Sequence, residues 1–349
     1  MRLIQVCLSD EYDAQTQQVE LLIRTLAEKK IKQQVVCKAG SVLHNRLRHV
    51  RSLHLVAVRS RFSGHFKVPK NGLINAHDLA AARWVAWQRK LRGTPWMMSW
   101  HQADAESTSK LTSSILKKAL AVTVTSFPAE LAMREKAYCP VKRIPDAAIS
   151  LDTNPMKMTE LRSHYQGKFV IGHWGRINQK TGGQNILLQC AEQMQADFPN
   201  MVFVFLGVGP DFEKLKKKYE DRENIDWVGE PPHPGDYYSI MNLFVDPANR
   251  ADSFTGLLQA MSFHIPVIAS KVSGFAEMIS HRSNGLLFKK GNVSSLEEMI
   301  KILYNSTELR TRLTRDANRE LKEVTPDRIT LKYLGVYQAL IKSLKAKSG

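Results

Sequence analysis

Residues 169–183 read FVIGHWGRINQKTGG, and this stretch decides the fold. A short apolar run leads into a glycine-rich loop with two cations, Arg176 and Lys180, and apolar residues at helical spacing follow. A strand, a loop and a helix in this order are typical of a parallel α/β sheet. The loop suits a bound diphosphate, although a plain glycine-rich turn with solvated cations explains it equally well. The Walker spacing G-x-x-x-x-G-K-[ST] does not occur in the sequence.

The same alternation of short apolar runs and helical patterns extends along the whole sequence. Strands are predicted at residues 3–8, 34–37, 53–58, 73–76, 96–100 and 121–125, and then at 169–172, 202–206, 225–228, 243–245, 267–270 and 285–288. This pattern predicts an α/β protein with two Rossmann-like, doubly wound domains, at residues 1–150 and 151–325. Residues 326–349 are expected to form a C-terminal helix that packs across both domains. Because doubly wound sheets bind ligands at the carboxyl ends of their strands, we expect function in the loops after strands.

Length and composition exclude several classes of protein. The 349 residues are 43% hydrophobic and 24% charged, as in an ordinary globular protein. The longest apolar runs fall far short of the roughly 18 residues that cross a bilayer, and acidic residues near the N-terminus argue against a signal peptide. The four cysteines lack C-x-x-C spacing, which predicts reduced thiols and a cytoplasmic protein. No metal-ligand motif is evident in the sequence.

Positive charge is concentrated in the first half. Residues 1–150 hold 24 Lys and Arg against 11 Asp and Glu, a net charge of +13. Such an excess suits an anionic membrane, a phosphorylated substrate or nucleic acid. Trp84, Trp87 and Trp96 lie among the cations, which suits a lipid headgroup layer, although the spacing of Trp84 and Trp87 also fits core residues of a helix. No zinc-finger spacing or RNP motif supports nucleic-acid binding. We therefore expect peripheral contact with an anionic membrane, no nucleic-acid partner and, by default, a monomer.

Further motifs follow in the second half. Residues 206–210 read LGVGP, residues 246–261 read DPANRADSFTGLLQAM, and GFAEMI and NGLL follow at 274–279 and 284–287. Together with GRI at 175–177, their order and spacing resemble the nucleotide-sugar-binding half of retaining glycosyltransferases of family 4, the glycosyl transferases group 1. The resemblance implies a GT-B fold, in which two Rossmann-like domains face an interdomain cleft.

The resemblance also implies an activity and a site. It implies a metal-independent hexosyltransferase that uses a nucleoside-diphosphate sugar as substrate, needs no cofactor and retains the anomeric configuration. The acceptor would be a glycan or glycolipid in surface polysaccharide or lipopolysaccharide biosynthesis, made at the inner face of the membrane. His101 and Asp252 are the candidate catalytic residues, with a packed strand-end histidine and a helix N-cap as the alternatives. The implied donor contacts are Arg176, Lys180, Thr181, Gly209, Phe254, Thr255, Gly256, Gln259 and Glu277, and the implied acceptor loop holds Gln15, Thr16 and Gln17.

The sequence also departs from the family pattern. The family's two glutamates, with seven residues between them, are replaced by Ala251 and Gln259. An amide still donates and accepts hydrogen bonds, whereas alanine does neither. Lys180 stands one position before the family's lysine, and residues 14–17 replace a glycine pair. A catalytically silent glycosyltransferase-like binding protein is therefore the alternative hypothesis.

Overall fold

A computed structural model describes residues 2–60, 62–103, 106–251 and 253–346. The chain divides into two compact units, Met1–Ala147 together with Val324–Gly349, and Ala148–Glu323. Each unit is built on one parallel sheet with helices between its strands. The predicted class, α/β with two doubly wound parallel sheets, is confirmed.

The N-terminal unit has a seven-stranded sheet in the order β3-β2-β1-β4-β5-β6-β7. Its strands are β1 (Arg2–Cys7), β2 (Gln33–Lys38), β3 (His54–Val58), β4 (Gly72–Ala76), β5 (Trp96–Trp100), β6 (Val122–Val124) and β7 (Val141–Arg143). Its first helices are α1 (Ala14–Glu28), α2 (Val42–Leu47), α3 (Leu79–Arg92), α4 (Ser113–Leu116) and α5 (Phe127–Arg134). Val6 of β1 lies opposite both Val36 and Ala76, so the strand order reverses at β1.

The C-terminal unit has a six-stranded sheet in the order β10-β9-β8-β11-β12-β13. Its strands are β8 (Phe169–Trp174), β9 (Met201–Leu206), β10 (Ile225–Gly229), β11 (Leu243–Asp246), β12 (Val267–Ser270) and β13 (Leu286–Phe288). Its helices are α6 (Pro155–His164), α7 (Gln184–Met194), α8 (Phe212–Lys218), α9 (Pro234–Tyr238), α10 (Thr255–Ser262), α11 (Ser273–Met278), α12 (Val293–Asn305) and α13 (Thr307–Leu321). The order reverses between β8 and β11, which is the switch point where doubly wound sheets bind ligands.

The residue types explain these elements. Every residue of β9 is buried, as expected of a central parallel strand with helices on both faces. The apolar residues of α7, among them Leu187, Cys190 and Met194, recur at helical spacing and pack into the same core as β9.

The last helix, α14 (Pro326–Ala346), belongs to the N-terminal unit. Ile329, Tyr333 and Val336 join a core cluster with Leu3 and Leu73 of the sheet. The C-terminal end of the chain therefore completes the N-terminal unit. That α14 also packs on the second domain stays a prediction.

Each predicted strand overlaps an observed one, and β7 is the strand that was missed. In the part of the chain that the structure describes, β7 pairs with β6 alone at the edge of its sheet, and two of its three residues are charged and exposed. Within the described residues, no helix has the length and apolar character that a membrane span requires.

Candidate functional site

Three loops lie next to one another at the carboxyl edge of the C-terminal sheet. They follow β8 (residues 175–183), β9 (residues 207–211) and β11 (residues 247–251 and 253–254). Since β8 pairs with both β9 and β11, the three loops surround the switch point.

Gln184, the buried first residue of α7, fixes the loop after β8. Its Nε2 donates to the Arg176 carbonyl at 3.0 Å, and its Oε1 accepts from the Asn178 N–H at 3.3 Å. The preceding Gly183 has a φ of +64°, and a Cβ there would overlap the Pro247 carbonyl. Only glycine fits a left-handed position this close to another backbone, so the end of this loop lies directly against the loop after β11.

Hydrogen bonds join the loops further. The Asn249 N–H donates to the Thr181 carbonyl at 2.8 Å, and the Ser270 hydroxyl donates to the Ala248 carbonyl. In the loop after β9, a Cβ at Gly209 would overlap the backbone of Ile177. The missing side chain of Gly209 is thus explained by backbone packing, and its contact with a donor stays a prediction.

His173, at the end of β8, joins the two sides of the switch point. Its Nδ1 lies 3.0 Å from the Val245 carbonyl of β11, and its Nε2 lies 3.2 Å from Gln184 Nε2. A carbonyl can only accept, so Nδ1 carries the hydrogen and Nε2 accepts from the amide. Burial lowers the pKa of His173 to about 4, which keeps the ring neutral near pH 7. Sequence reasoning missed this role; a polar residue in an otherwise apolar strand was the available signal.

The structure brings the predicted cations together with the predicted threonine. Arg176 and Lys180 are exposed in the loop after β8, and Thr181 is half-buried beside them. Because Gln184 and Asn249 hold the backbone of this loop, it presents two positive charges from a fixed frame.

The predicted residues at the start of α10 differ in their exposure. Phe254 and Thr255 are buried, and the Phe254 ring packs against Phe275. Gly256 is half-exposed, and a Cβ there would lie 3.3 Å from the Trp174 carbonyl at the end of β8. The first turn of α10 therefore lies beside the switch point, and the side chains of Phe254 and Thr255 anchor it.

The two positions that depart from the family pattern are both buried. Ala251 is 2% exposed, and its methyl group occupies the space that a Cβ on Gly274 would need. Gln259 is 0% exposed; its Oε1 lies 3.4 Å from the Tyr238 hydroxyl, and its Nε2 has no hydrogen-bond partner within the described residues. Contact of Gln259 with a ribose stays a prediction.

Two of the predicted site residues of the C-terminal unit remain. Glu277 is exposed on α11. Asp252, the candidate catalytic carboxylate, lies outside the described residues.

In the N-terminal unit, His101 belongs to a buried chain of polar side chains. Its Nε2 lies 3.1 Å from Nδ1 of His77, whose Nε2 lies 2.7 Å from the Gln5 carbonyl oxygen. Burial, and next the neighbouring His101, lower the pKa of His77 well below its usual range. A neutral His77 that donates to Gln5 must accept from His101, whose Nδ1 faces the buried Asp146 at 3.9 Å. Both ring nitrogens of His101 thus face protein groups, and its contact with a sugar stays a prediction.

This row of hydrogen-bonded polar side chains continues across the sheet beneath α14. The Tyr337 hydroxyl accepts from Asn75 at 2.8 Å and from Gln5 at 3.4 Å, while Ser99 donates to Asn75 at 2.8 Å. Gln5 and Asn75 are paired across β1 and β4, so this polar row crosses the middle of the sheet. Sequence reasoning missed it because its members are far apart in the chain.

The predicted acceptor residues lie in the first turn of α1. Gln15 and Gln17 are half-buried, and Thr16 is buried. Asp13 caps the helix by accepting from the Thr16 N–H at 2.9 Å. A carboxylate therefore caps the N-terminus of this helix. A role of these residues toward an acceptor stays a prediction.

The described residues contain no group of three or more His, Cys, Asp or Glu that could hold a metal ion. The predicted absence of a metal requirement stays a prediction.

Comparisons with known proteins fit this arrangement. Residues 160–320 match the family described as glycosyl transferases group 1. This part of the chain is therefore similar to the glycosyl transferases group 1. It contains β8 to β13 and all three loops of the candidate site.

Known proteins resemble this chain over different fractions of its length. The capsular polysaccharide biosynthesis glycosyltransferase CapM of Staphylococcus aureus is 23% identical over 184 residues, 51% of this chain and 48% of CapM. The chain thus spans about half the length of this curated relative. Anabaena HepE, solved with UDP-glucose, superposes with a TM-score of 0.81 at 16% identity, covering 97% and 100% of the two chains. The sucrose-phosphate synthase of Thermosynechococcus elongatus gives 0.79 at 18% identity, covering 98% and 100%. These structures show the GT-B fold.

Proposed function

We propose that the protein is a glycosyltransferase that moves a sugar from a nucleoside-diphosphate sugar to a glycan or glycolipid acceptor. The observation that carries the proposal is the anchored loop after β8, which presents Arg176 and Lys180 at the switch point beside the start of α10. Residues 160–320, which match the glycosyl transferases group 1, contain all of these parts. HepE, which has the same fold, was solved with UDP-glucose.

The geometry suits stabilisation of a leaving diphosphate. A guanidinium binds two phosphate oxygens at once, an ammonium adds a point charge, and the N-terminal end of α10, with its positive partial charge, begins at the loop after β11. Fixed groups of this kind stabilise charge as it develops, without reorganisation during the reaction. We propose on this basis a metal-independent hexosyltransferase of family 4.

We further propose retention of configuration, with the leaving phosphate accepting the proton of the acceptor hydroxyl. This mechanism does not need the pair of carboxyl groups that a glycoside hydrolase uses. A surface polysaccharide or lipopolysaccharide made in the cytoplasm is the proposed product, in line with the capsular polysaccharide role in the name of CapM.

A ligand screen tests the donor site. Thermal unfolding is followed with UDP, GDP, CDP, ADP and their common sugar conjugates. A ligand at about 100 times its dissociation constant adds about 2.7 kcal/mol of stability. One nucleotide should raise the melting temperature, and Arg176→Ala should abolish the shift. Arg312→Ala, at an exposed position of α13, is the matched control and should keep it. No shift with any nucleotide would refute the proposed donor site.

Transfer is tested with the nucleotide sugar that binds. Release of the nucleoside diphosphate and formation of a glycosylated lipid or glycan are measured together, and the anomeric configuration of the product is read by NMR. Inversion would refute the proposed mechanism but leave the donor site standing.

The second candidate function is a silent binding protein. Its support is specific: Ala251 and Gln259 stand where the family has carboxylates, and both are buried. Binding of a nucleotide sugar without product, across a range of glycan and lipid acceptors, would favour this function.

A further inference from the structure

An exposed apolar surface lies on the N-terminal unit. Four side chains form it, and we call it the α3 patch: Phe62, Phe66, Trp87 and Leu91. Phe66 is 77% exposed and Trp87 is 40% exposed. The Phe62 ring meets the Trp87 ring edge to face, with centroids 5.1 Å apart. Large apolar side chains grouped at the surface indicate a binding face.

The surroundings of the α3 patch are positively charged. The Lys90 ammonium lies 5.4 Å from the Trp87 ring, and the Arg92 guanidinium lies 5.4 Å from the Phe66 ring. The helix α3 itself carries Arg83, Arg89, Lys90 and Arg92 and no acidic residue, and Asp78 directly precedes it. The Asp78 carboxylate accepts from the N–H groups of Leu8 and Ala81 and thus faces inward. The partner of this face is therefore expected to be anionic.

The patch rests on a fixed support. Trp84 is buried, donates to the Ser63 carbonyl at 2.9 Å and stacks on His65 with centroids 4.5 Å apart. These contacts hold the segment that carries Phe62 and Phe66 against α3. The three tryptophans of this region therefore differ in exposure. Trp84 and Trp96 are core residues, and Trp87 lies at the surface.

We propose that the α3 patch docks the protein on a bilayer that contains anionic lipids. Aromatic rings with adjacent cations favour the headgroup layer, where the rings meet acyl chains and the cations meet lipid phosphates. Nucleic acid is less well matched, because aliphatic Leu91 cannot stack on a base and the Phe62 ring already packs against Trp87. This docking does not depend on the proposed transfer reaction.

Vesicle sedimentation tests the proposal on the full chain. Vesicles of phosphatidylcholine alone are compared with vesicles that also contain phosphatidylglycerol. The protein should bind only the anionic vesicles, and binding should weaken at least about tenfold between about 50 and about 500 mM NaCl. Single-stranded RNA is titrated in the same buffers as the competing partner.

Two double variants separate the apolar and the charged contributions. Phe66→Ser with Trp87→Ser should weaken vesicle binding at least about tenfold without a change in net charge. Arg83→Glu with Lys90→Glu should remove the preference for anionic lipid. The matched control, Tyr138→Ser with Leu331→Ser, replaces exposed apolar residues elsewhere on the same unit and should bind like wild type. Melting temperatures confirm that each variant folds.

Several results would overturn the proposal. Absence of vesicle binding would do so, as would equal binding to neutral and anionic vesicles. Unchanged binding of the Phe66 and Trp87 variant would show that charge alone attracts the protein. An equal loss in the control variant would show that the α3 patch is not the docking face. Tighter binding to RNA than to vesicles would assign the surface to nucleic acid.

Discussion

The neutral state of His173 makes the C-terminal unit sensitive to acid. Its folded pKa is about 4, against an unfolded value near 6.5. As the pH falls between these values, the unfolded chain binds a proton that the folded chain does not, so stability falls with pH. Each unit of pKa difference is worth about 1.4 kcal/mol. For these two values the linkage relation gives a loss of about 2 kcal/mol between about pH 7 and about pH 5.

The substitution His173→Gln isolates this effect. Glutamine does not titrate, so the variant should be less stable than wild type at neutral pH, and the difference should shrink by about 2 kcal/mol on going to about pH 5. Urea unfolding at several pH values, followed by tryptophan fluorescence, gives both curves. Asn224→Ala removes a buried amide that donates to Ala191 at 2.8 Å and does not titrate, so its difference from wild type should stay constant. Parallel curves for wild type and His173→Gln would refute a neutral, buried His173.

Three further predictions concern single positions and are read by urea unfolding. Gly183→Ala should cost about 2 kcal/mol or more, because it adds an overlap with the Pro247 carbonyl to the left-handed strain; Gly167→Ala, with φ of +76° and open space around it, should cost about half as much. The buried Glu20 of α1 accepts hydrogen bonds from Tyr12, Arg24 and Arg46. Burial would raise the pKa of Glu20, but these hydrogen bonds lower it overall. Glu20→Gln should therefore cost about 2 kcal/mol at neutral pH, and this difference should vanish as the pH falls through the lowered pKa. Tyr337→Phe should cost about 1 to 3 kcal/mol, since it removes the acceptor of two buried amides.

Much of the fold could be predicted from the sequence because the local signals agree with the tertiary arrangement. Buried parallel strands read as short apolar runs, and β9 shows this most clearly. The edge strand β7 gives no such signal, because its exposed lysine and arginine resemble a loop. The return of α14 to the first unit is also invisible locally, since it depends on contacts between residues more than 300 positions apart, such as Gln5 and Tyr337.

The candidate site was predictable in its loops and less so in its side chains. Glycines and cations at fixed spacing located the loops after β8 and β9, and their backbones do meet. Which side chains are exposed depends on packing, and spacing does not reveal it. Phe254, Thr255 and Gln259 were named as donor contacts, yet all three side chains are buried. The residues that fix the site, His173 and Gln184, act through buried hydrogen bonds that no motif encodes.

The difference between the loop backbones and the altered side chains affects the choice between a transferase and a silent binding protein. Gln184, His173 and Gly183 hold the loop after β8. Among the described residues, their side-chain hydrogen bonds and close backbone approaches do not involve Ala251 or Gln259. The loop proposed to bind a diphosphate is therefore held independently of Ala251 and Gln259. A silent protein would keep this loop and bind a nucleotide as well as an active enzyme does. Nucleotide binding thus tests the donor site, and only product formation distinguishes the two functions.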